Sequence, residues 1–299
     1  MDLFSEMFLY RVNKANVTKI KRRVFKMKTT KKLLSLLLVG AMALGFAACG
    51  NNDAKEQNVV APENELTVKE INVSAAASLT DCFTEIAEKF EEETGCHVNL
   101  NFAGSNTLKT QIKEGADVDI FYSASKKHYK ELLDEEYFVK EGDMFVKNAP
   151  VLIVSNDCET VKSMDDLTND GIKFITTNAE VPIGKYTRQI FANFGEDYSA
   201  KALANVASEE ENVRQVVSKV ALGEGDCGLV YKTDVTKDFA DKLTVIEIPA
   251  DKNVIGDYWC GILKTGADKD ATNAFYEYIF SDYGKGVLSE AGFITEFAE

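Results

Sequence analysis

Between residues 67 and 76 the apolar positions alternate, with Ile71, Val73 and Ala75 on one face of an expected strand. The period then changes. Leu79, Phe83, Ile86, Ala87 and Phe90 recur at helical spacing, and Gly95 marks the helix end in the position glycine favours after a C-terminus. Val98, Leu100 and Phe102 alternate again. A short helix over 107–113 and an apolar strand over 118–122 follow. The same exchange of periods predicts strands at 151–154 and 174–176, helices at 184–194 and 213–222, and a strand at 228–231. Strands at 243–248 and 259–263 and helices at 272–280 and 284–289 close the pattern. Strands alternating with helices predict an α/β architecture of mostly parallel sheets flanked by helices. No internal repeat recurs at a fixed period.

The chain ahead of residue 67 follows neither period. Lys28, Lys31 and Lys32 precede an uncharged run over 33–48 that ends on small residues and Cys49, the pattern of an export signal. Its 16 residues fall short of the ~20 that a membrane-spanning helix needs. The sequence Ala47-Ala48-Cys49-Gly50 resembles the lipobox of bacterial lipoproteins, with Phe46 where that motif usually carries Leu. That resemblance implies lipidation of Cys49 and a protein held on the outer side of the cell membrane. Residues 1–26 are basic and carry no core-like periodicity, which fits either a translation start at Met27 or an unusually long basic region ahead of the signal. Residues 1–48 are then an extension plus signal peptide, and 49–66 read as a flexible polar tether.

Charge narrows the choice of partners. Residues 1–48 hold 10 of the 34 Lys and Arg and 2 of the 48 Asp and Glu, so the chain from Cys49 carries 24 basic and 46 acidic residues, a net −22. Such a surface argues against nucleic acid and against an anionic bilayer as direct partners. Five cysteines remain beyond Cys49, an odd number with no C-x-x-C pair. They read as small buried hydrophobes, with Cys82–Cys96 and Cys227–Cys260 bridges left open. His97 and His128, the two histidines, lie outside any metal-ligand spacing, so no metal or other cofactor is expected. Nucleophile elbows, zinc-protease motifs, Walker loops and dinucleotide fingerprints are absent from the sequence, so no enzyme is expected. The acidic runs 91–93 and 209–211 read as solvated helix ends.

The distinctive residues are hydroxyls at strand-to-helix junctions. Ser78 sits where a helix should start, with Asp81 three residues on as in a capping box, and Ser105 follows the next strand in the same way. Ligands of α/β folds bind at these carboxyl ends of strands, where helix N–H groups are unpaired. Taken singly, each serine is explained as a helix cap.

Taken in order, the segments SAAASLTD, NFAGSNTLKTQI, GADVDIFYSAS, AEVPIGKYTRQ, ENVRQVV and GLVY resemble the molybdate-binding component of bacterial ABC importers, a type II solute-binding protein. The resemblance spans about 68–293. It implies two α/β lobes joined by two crossing strands, with lobe one at 67–148 plus 258–299 and lobe two at 149–257. The crossings are implied near 149–151 and 257–260. It also implies an anion held by the hydroxyls of Ser78 and Ser105 and the backbone N–H groups of Ile183 and Val213, with Tyr231 closing the site. Ile183 stands where Ala is common, Gly104 where Ser is frequent, and Lys185 is close by in sequence.

The function implied is that of an extracytoplasmic monomer that captures molybdate and tungstate for an ABC permease. Sulfate or phosphate on the same fold is the near alternative, and a surface sensor or an enzyme on this scaffold the more distant one. A phosphate site needs an acceptor carboxylate, for which Asp81 is the close candidate. None of the implied ligand groups titrates near neutrality.

Overall fold

The computed structural model describes residues 66–297, and the segments assigned above to export, lipidation and tethering lie outside the described residues. Strand β1 (Glu70–Ala76) leads through a 3-10 turn, Ala77–Leu79, into helix α1 (Thr80–Thr94). Gly95 ends that helix at φ 69°, the left-handed conformation expected of it, and donates its N–H to the Glu91 carbonyl. Then come β2 (His97–Ala103), α2 (Ser105–Lys113), β3 (Ile120–Ser123), α3 (Lys126–Asp134) and β4 (Asp143–Asn148). After the single residue Ala149 the chain enters β5 (Pro150–Ser155). It continues through β6 (Phe174–Thr177), α4 (Pro182–Phe194), α5 (Glu196–Ala204), β7 (Val206–Glu210), α6 (Val213–Ala221), β8 (Cys227–Tyr231) and β9 (Leu243–Glu247). Strand β10 (Gly256–Ile262) and helices α7 (Asp270–Ile279) and α8 (Asp282–Glu290) complete the order.

Two five-stranded sheets result, ordered β2-β1-β3-β10-β4 and β7-β6-β8-β5-β9. In each, the first three strands are parallel and the last two pairings antiparallel. The sheets are therefore mixed rather than mostly parallel. The antiparallel strand inside each sheet is the one arriving from the other lobe: β5 follows directly from β4, and β10 returns after β9. Apolar periodicity reports which face of a strand is buried and is blind to the direction in which it runs. The two crossings are neighbours, with Gly256 at the head of β10 paired to Asn148 at the end of β4.

Helices α3 and α5 and strands β4 and β7 are additions to the sequence pattern, in short segments where charged residues interrupt the apolar positions. Glu209 and Glu210 lie in β7 rather than at a helix end, paired to Arg188 and Lys219. Core packing runs from Ile71, Val73 and Phe83 of the first lobe through Tyr258 of β10 to Val213, Val216 and Val230 of the second. One apolar cluster thus spans both lobes, beside a separate cluster within each. Cys82, Cys96, Cys158, Cys227 and Cys260 are all free, which removes both candidate bridges. Burial pushes the Cys82 and Cys260 thiols up to about 12, so they stay protonated and inert.

Candidate functional site

Every parallel strand of both sheets delivers a residue to one cavity between the lobes. The carboxyl ends of β1, β2 and β3 bring Ala76 to Ser78, Ala103 to Ser105, and Ala124. From the other lobe, Val181 to Ile183 follow β6, Asn212 and Val213 follow β7, and Tyr231 ends β8. Ser78, Ser105, Ile183, Val213 and Tyr231 are therefore brought together from five separate segments. The space between these residues is about 220 Å³, open solvent at its mouth included. Among the described residues, no Asp, Glu, Lys, Arg or His side chain lines it.

Helix starts supply the polarity. The first N–H groups of a helix have no intrahelical acceptor and carry the positive end of its dipole. In α4, Pro182 occupies the first turn, where its missing N–H costs nothing. The N–H of Lys185 is the one that reaches back to the Val181 carbonyl, at 3.0 Å, which places Ile183 ahead of the first intrahelical bond. Gly184 keeps this turn against the end of β6, because a Cβ there would lie 2.1 Å from the Asn178 carbonyl oxygen. In α6, Asn212 is the cap and accepts the Gln215 N–H at 3.2 Å, so Val213 opens the helix with its own N–H unpaired within it.

The serines do something other than the sequence suggested. A 3-10 turn separates β1 from α1, so Ser78 lies inside that turn and makes no capping bond. Its hydroxyl meets the Tyr258 hydroxyl at 2.8 Å instead. Ser105 is the first residue of α2, behind the cap position of Gly104, and likewise caps nothing. Its oxygen accepts the Ala124 N–H at 3.0 Å. Both side chains are almost wholly buried, at 2% and 1% exposure. With the Ser105 oxygen already accepting from the protein, its hydroxyl hydrogen is free to be donated into the cavity. Tyr231 is also buried, and its hydroxyl has no hydrogen-bond partner among the described residues. Lys185, close in sequence, is exposed and does not line the cavity.

Around the rim the lobes are clasped. Arg214, the residue after Val213, donates to the Ala77 carbonyl at 3.3 Å and pairs with Asp81 across the cleft. Asp81 is thus held by an arginine rather than by a helix cap. Nearby, His128 and Lys127 of α3 reach the Glu180 carbonyl and carboxylate, at 2.8 and 3.2 Å. Sequence reasoning missed Arg214, Tyr258 and Glu180, since nothing in local spacing shows which residues meet across two lobes.

The residues matched by the family model for bacterial extracellular solute-binding proteins are 71–294, nearly all of the described chain. The chain belongs to that family. The molybdate-binding protein ModA of Mycobacterium tuberculosis H37Rv is 32% identical over 263 residues, covering 87% of this chain and 97% of that protein. Among solved structures, the Azotobacter vinelandii periplasmic molybdate-binding protein matches with a TM-score of 0.67 at 20% identity, over 76% of this chain and all of that one. The sulfate-binding protein SubI of M. tuberculosis matches with a TM-score of 0.66 at 15% identity, over 75% and 86%. At those identities the structures speak for the fold alone, and the fold serves more than one anion.

One group behind the cavity departs from the expectation of a site without neutral-range titration. Asp234, wholly buried, accepts the Tyr231 N–H at 3.1 Å and lies 3.3 Å from the Arg214 guanidinium. Burial pushes its carboxyl up to about 7, against the opposing pull of Arg214. The native state therefore keeps a proton that the unfolded chain releases near ~4. The stability this contributes is full below about 4 and is lost as pH rises through about 7. The Asp234→Asn variant lacks that slope. Its melting temperature relative to wild type is expected to rise between about pH 5 and pH 8, the side of neutrality where Asp234 ionises. Thermal melts across that range check it, and a difference that stays flat sinks the assignment.

Proposed function

We propose that this protein captures molybdate, and with it tungstate, outside the cytoplasmic membrane and delivers it to an ABC permease. The observation that carries the reading is a cavity whose polar groups are donors, Ser105 and Tyr231 hydroxyls and helix N–H groups, with no Asp, Glu, Lys, Arg or His side chain among its lining residues. A buried dianion left unsolvated costs tens of kcal/mol. Fixed dipoles meet that cost without a counter-charge. Hydrogen bonds to charged oxygens contribute ~1.5–3 kcal/mol each. The ligand that fits such a wall accepts at every oxygen, which describes a fully deprotonated oxyanion. Monohydrogen phosphate also needs an acceptor for its proton. Asp81 is outside the cavity and bound to Arg214, so phosphate is disfavoured.

Molybdate is preferred over sulfate because the molybdate-binding relatives align over nearly their whole length. Ile183, buried in the cavity wall, is the residue that sets how large a tetrahedron fits. An enzyme reading has no support from the cavity, which lacks any acid, base or thiol nucleophile. For the anchor, the basic residues, apolar run and Cys49 support a diacyl lipid on that cysteine, two chains being what stable anchoring takes. The acidic domain, net −22 beyond residue 48, adds no affinity for an anionic bilayer.

Calorimetric titration tests the ligand. Molybdate and tungstate should bind, sulfate and phosphate far more weakly, and Ser78→Ala or Ser105→Ala should each weaken molybdate by about 30-fold, ~2 kcal/mol. Sulfate binding as tight as molybdate would move the protein to the alternative reading, and unaffected serine variants would remove the site. Gly104 supplies a second test. A Cβ there would lie 2.9 Å from the Glu211 carbonyl oxygen of the opposite lobe. Gly104→Ala should therefore weaken molybdate about tenfold by opposing the close fit of the lobes, at an overpacking cost of ~1–3 kcal/mol. Wild-type affinity in that variant would mean the lobes do not approach so closely when loaded. For the anchor, Cys49→Ser should appear in the soluble fraction with molybdate affinity intact. Retention in the membrane would show that the apolar run itself is the anchor.

A further inference from the structure

Behind Ser78 lies a buried polar chain that the binding groups alone do not account for. Tyr258, wholly buried on β10, places its hydroxyl 2.8 Å from the Ser78 oxygen. The Asn148 side-chain amide, also wholly buried, donates to that same tyrosine oxygen at 3.4 Å and to the Thr233 hydroxyl at 2.8 Å. Neither Tyr258 nor Asn148 lines the cavity.

A tyrosine hydroxyl has one hydrogen to give, and an amide nitrogen has none to receive. Asn148 approaches the tyrosine oxygen as a donor at 3.4 Å, which favours the tyrosine hydrogen turning to its nearest polar neighbour, the Ser78 oxygen at 2.8 Å. Ser78 then accepts from Tyr258, and its own hydrogen is free for the cavity. Ser105 reaches the same state by accepting a backbone N–H. We propose that Tyr258 is a positioning residue that sets the Ser78 hydroxyl as a donor to the bound anion, with Asn148 fixing the direction of the relay. Burial holds the Tyr258 phenol well above its ordinary pKa, so it keeps its hydrogen throughout the neutral range. Ser78 and Tyr258 both belong to the first lobe, the serine just after β1 and the tyrosine on β10, strands of the same sheet. The serine is accordingly oriented within one lobe, and only the Thr233 end of the chain reaches the other.

The proposal rests on the oxyanion reading, and a mutant cycle separates the two. Molybdate is titrated into wild type, Tyr258→Phe, Ser78→Ala, Ser105→Ala and the two double variants that add Tyr258→Phe to each serine change. Tyr258→Phe alone should weaken binding about tenfold, the size of one lost orienting hydrogen bond. On the Ser78→Ala background it should cost nothing further, because there is no hydroxyl left to orient. On the Ser105→Ala background the full tenfold should remain. Equal losses on both backgrounds would mean that the ring acts by packing, and no loss in the single variant would mean that it orients nothing. Either overturns the proposal while leaving the oxyanion reading standing. Failure of wild type to bind molybdate overturns that reading instead.

A ring-fluorinated tyrosine at position 258 covers the case in which phenylalanine disturbs the fold. Fluorination makes the phenol a stronger donor and a weaker acceptor, so affinity should rise if Tyr258 donates to Ser78. A fall or no change in affinity would reverse the assigned direction and overturn the relay.

Discussion

The constraint behind the proposed reading is the burial of an anion in a cavity that has no cationic side chain among its lining residues. Desolvating such a charge is affordable only when each of its oxygens meets a donor. A donor that is free to turn around and accept is a poor guarantee of that. Ser105 is relieved of the ambiguity by the Ala124 N–H that donates to it, and the proposed relay gives Ser78 the same relief through the Tyr258 hydroxyl, 2.8 Å away. The helix N–H groups cannot accept at all. The fold exists in a form that brings these groups together: three parallel strands from each sheet end at one cavity, and successive helices start there.

Such a site has to be both sealed and openable. The seal is made by residues one step outside the cavity. Arg214 follows Val213 directly and ties lobe two to the Ala77 carbonyl beside Ser78, so the backbone segments that present donors are also the ones held together across the cleft. The absence of a side chain on Gly104 leaves room for the Glu211 carbonyl of the other lobe, which a Cβ there would meet at 2.9 Å. Opening is localised by the topology. The lobes are joined through Ala149 and through 248–255, and these connections meet where Gly256 pairs with Asn148. Hinge motions use a few such residues at element ends. Asn148 is at once part of this joint and part of the polar chain behind Ser78.

Much of this was legible before the structure. Alternation around Ile71, Val73 and Ala75 and the helical spacing from Leu79 to Phe90 are strong because one face of each element is buried while the other is solvated. Gly95 ended its helix as expected because the left-handed turn there suits a residue without a Cβ. Pro182 was passed over as a helix start, although proline is favoured in a first turn, and α4 was placed two residues late. Ser78 fits the local S-x-x-D pattern of a cap, whereas in the fold it sits in a 3-10 turn and its hydroxyl meets that of Tyr258, 180 residues away in sequence. The gathering of five site residues came through resemblance to a family. Local spacing carries no record of which strand ends converge. Asp234 escaped notice for the same reason: its elevated pKa comes from burial, and burial is a property of the assembled lobes.

An acidic protein that binds an anion raises one last difficulty, and distance resolves it. The chain beyond residue 48 has a net charge of −22, so its far field repels a dianion. At physiological ionic strength the Debye length is ~8 Å, and charges further than that from the cleft mouth are largely screened. Within that radius the balance changes. Among the described residues no carboxylate lines the cavity, and two beside it, Asp81 and Asp234, lie against the Arg214 guanidinium. The same arginine that clasps the lobes therefore also masks the carboxylates that would otherwise oppose the ligand. Capture is then governed by short-range donors that act only after the ion has entered, while the acidic exterior keeps the protein soluble at no cost to the site.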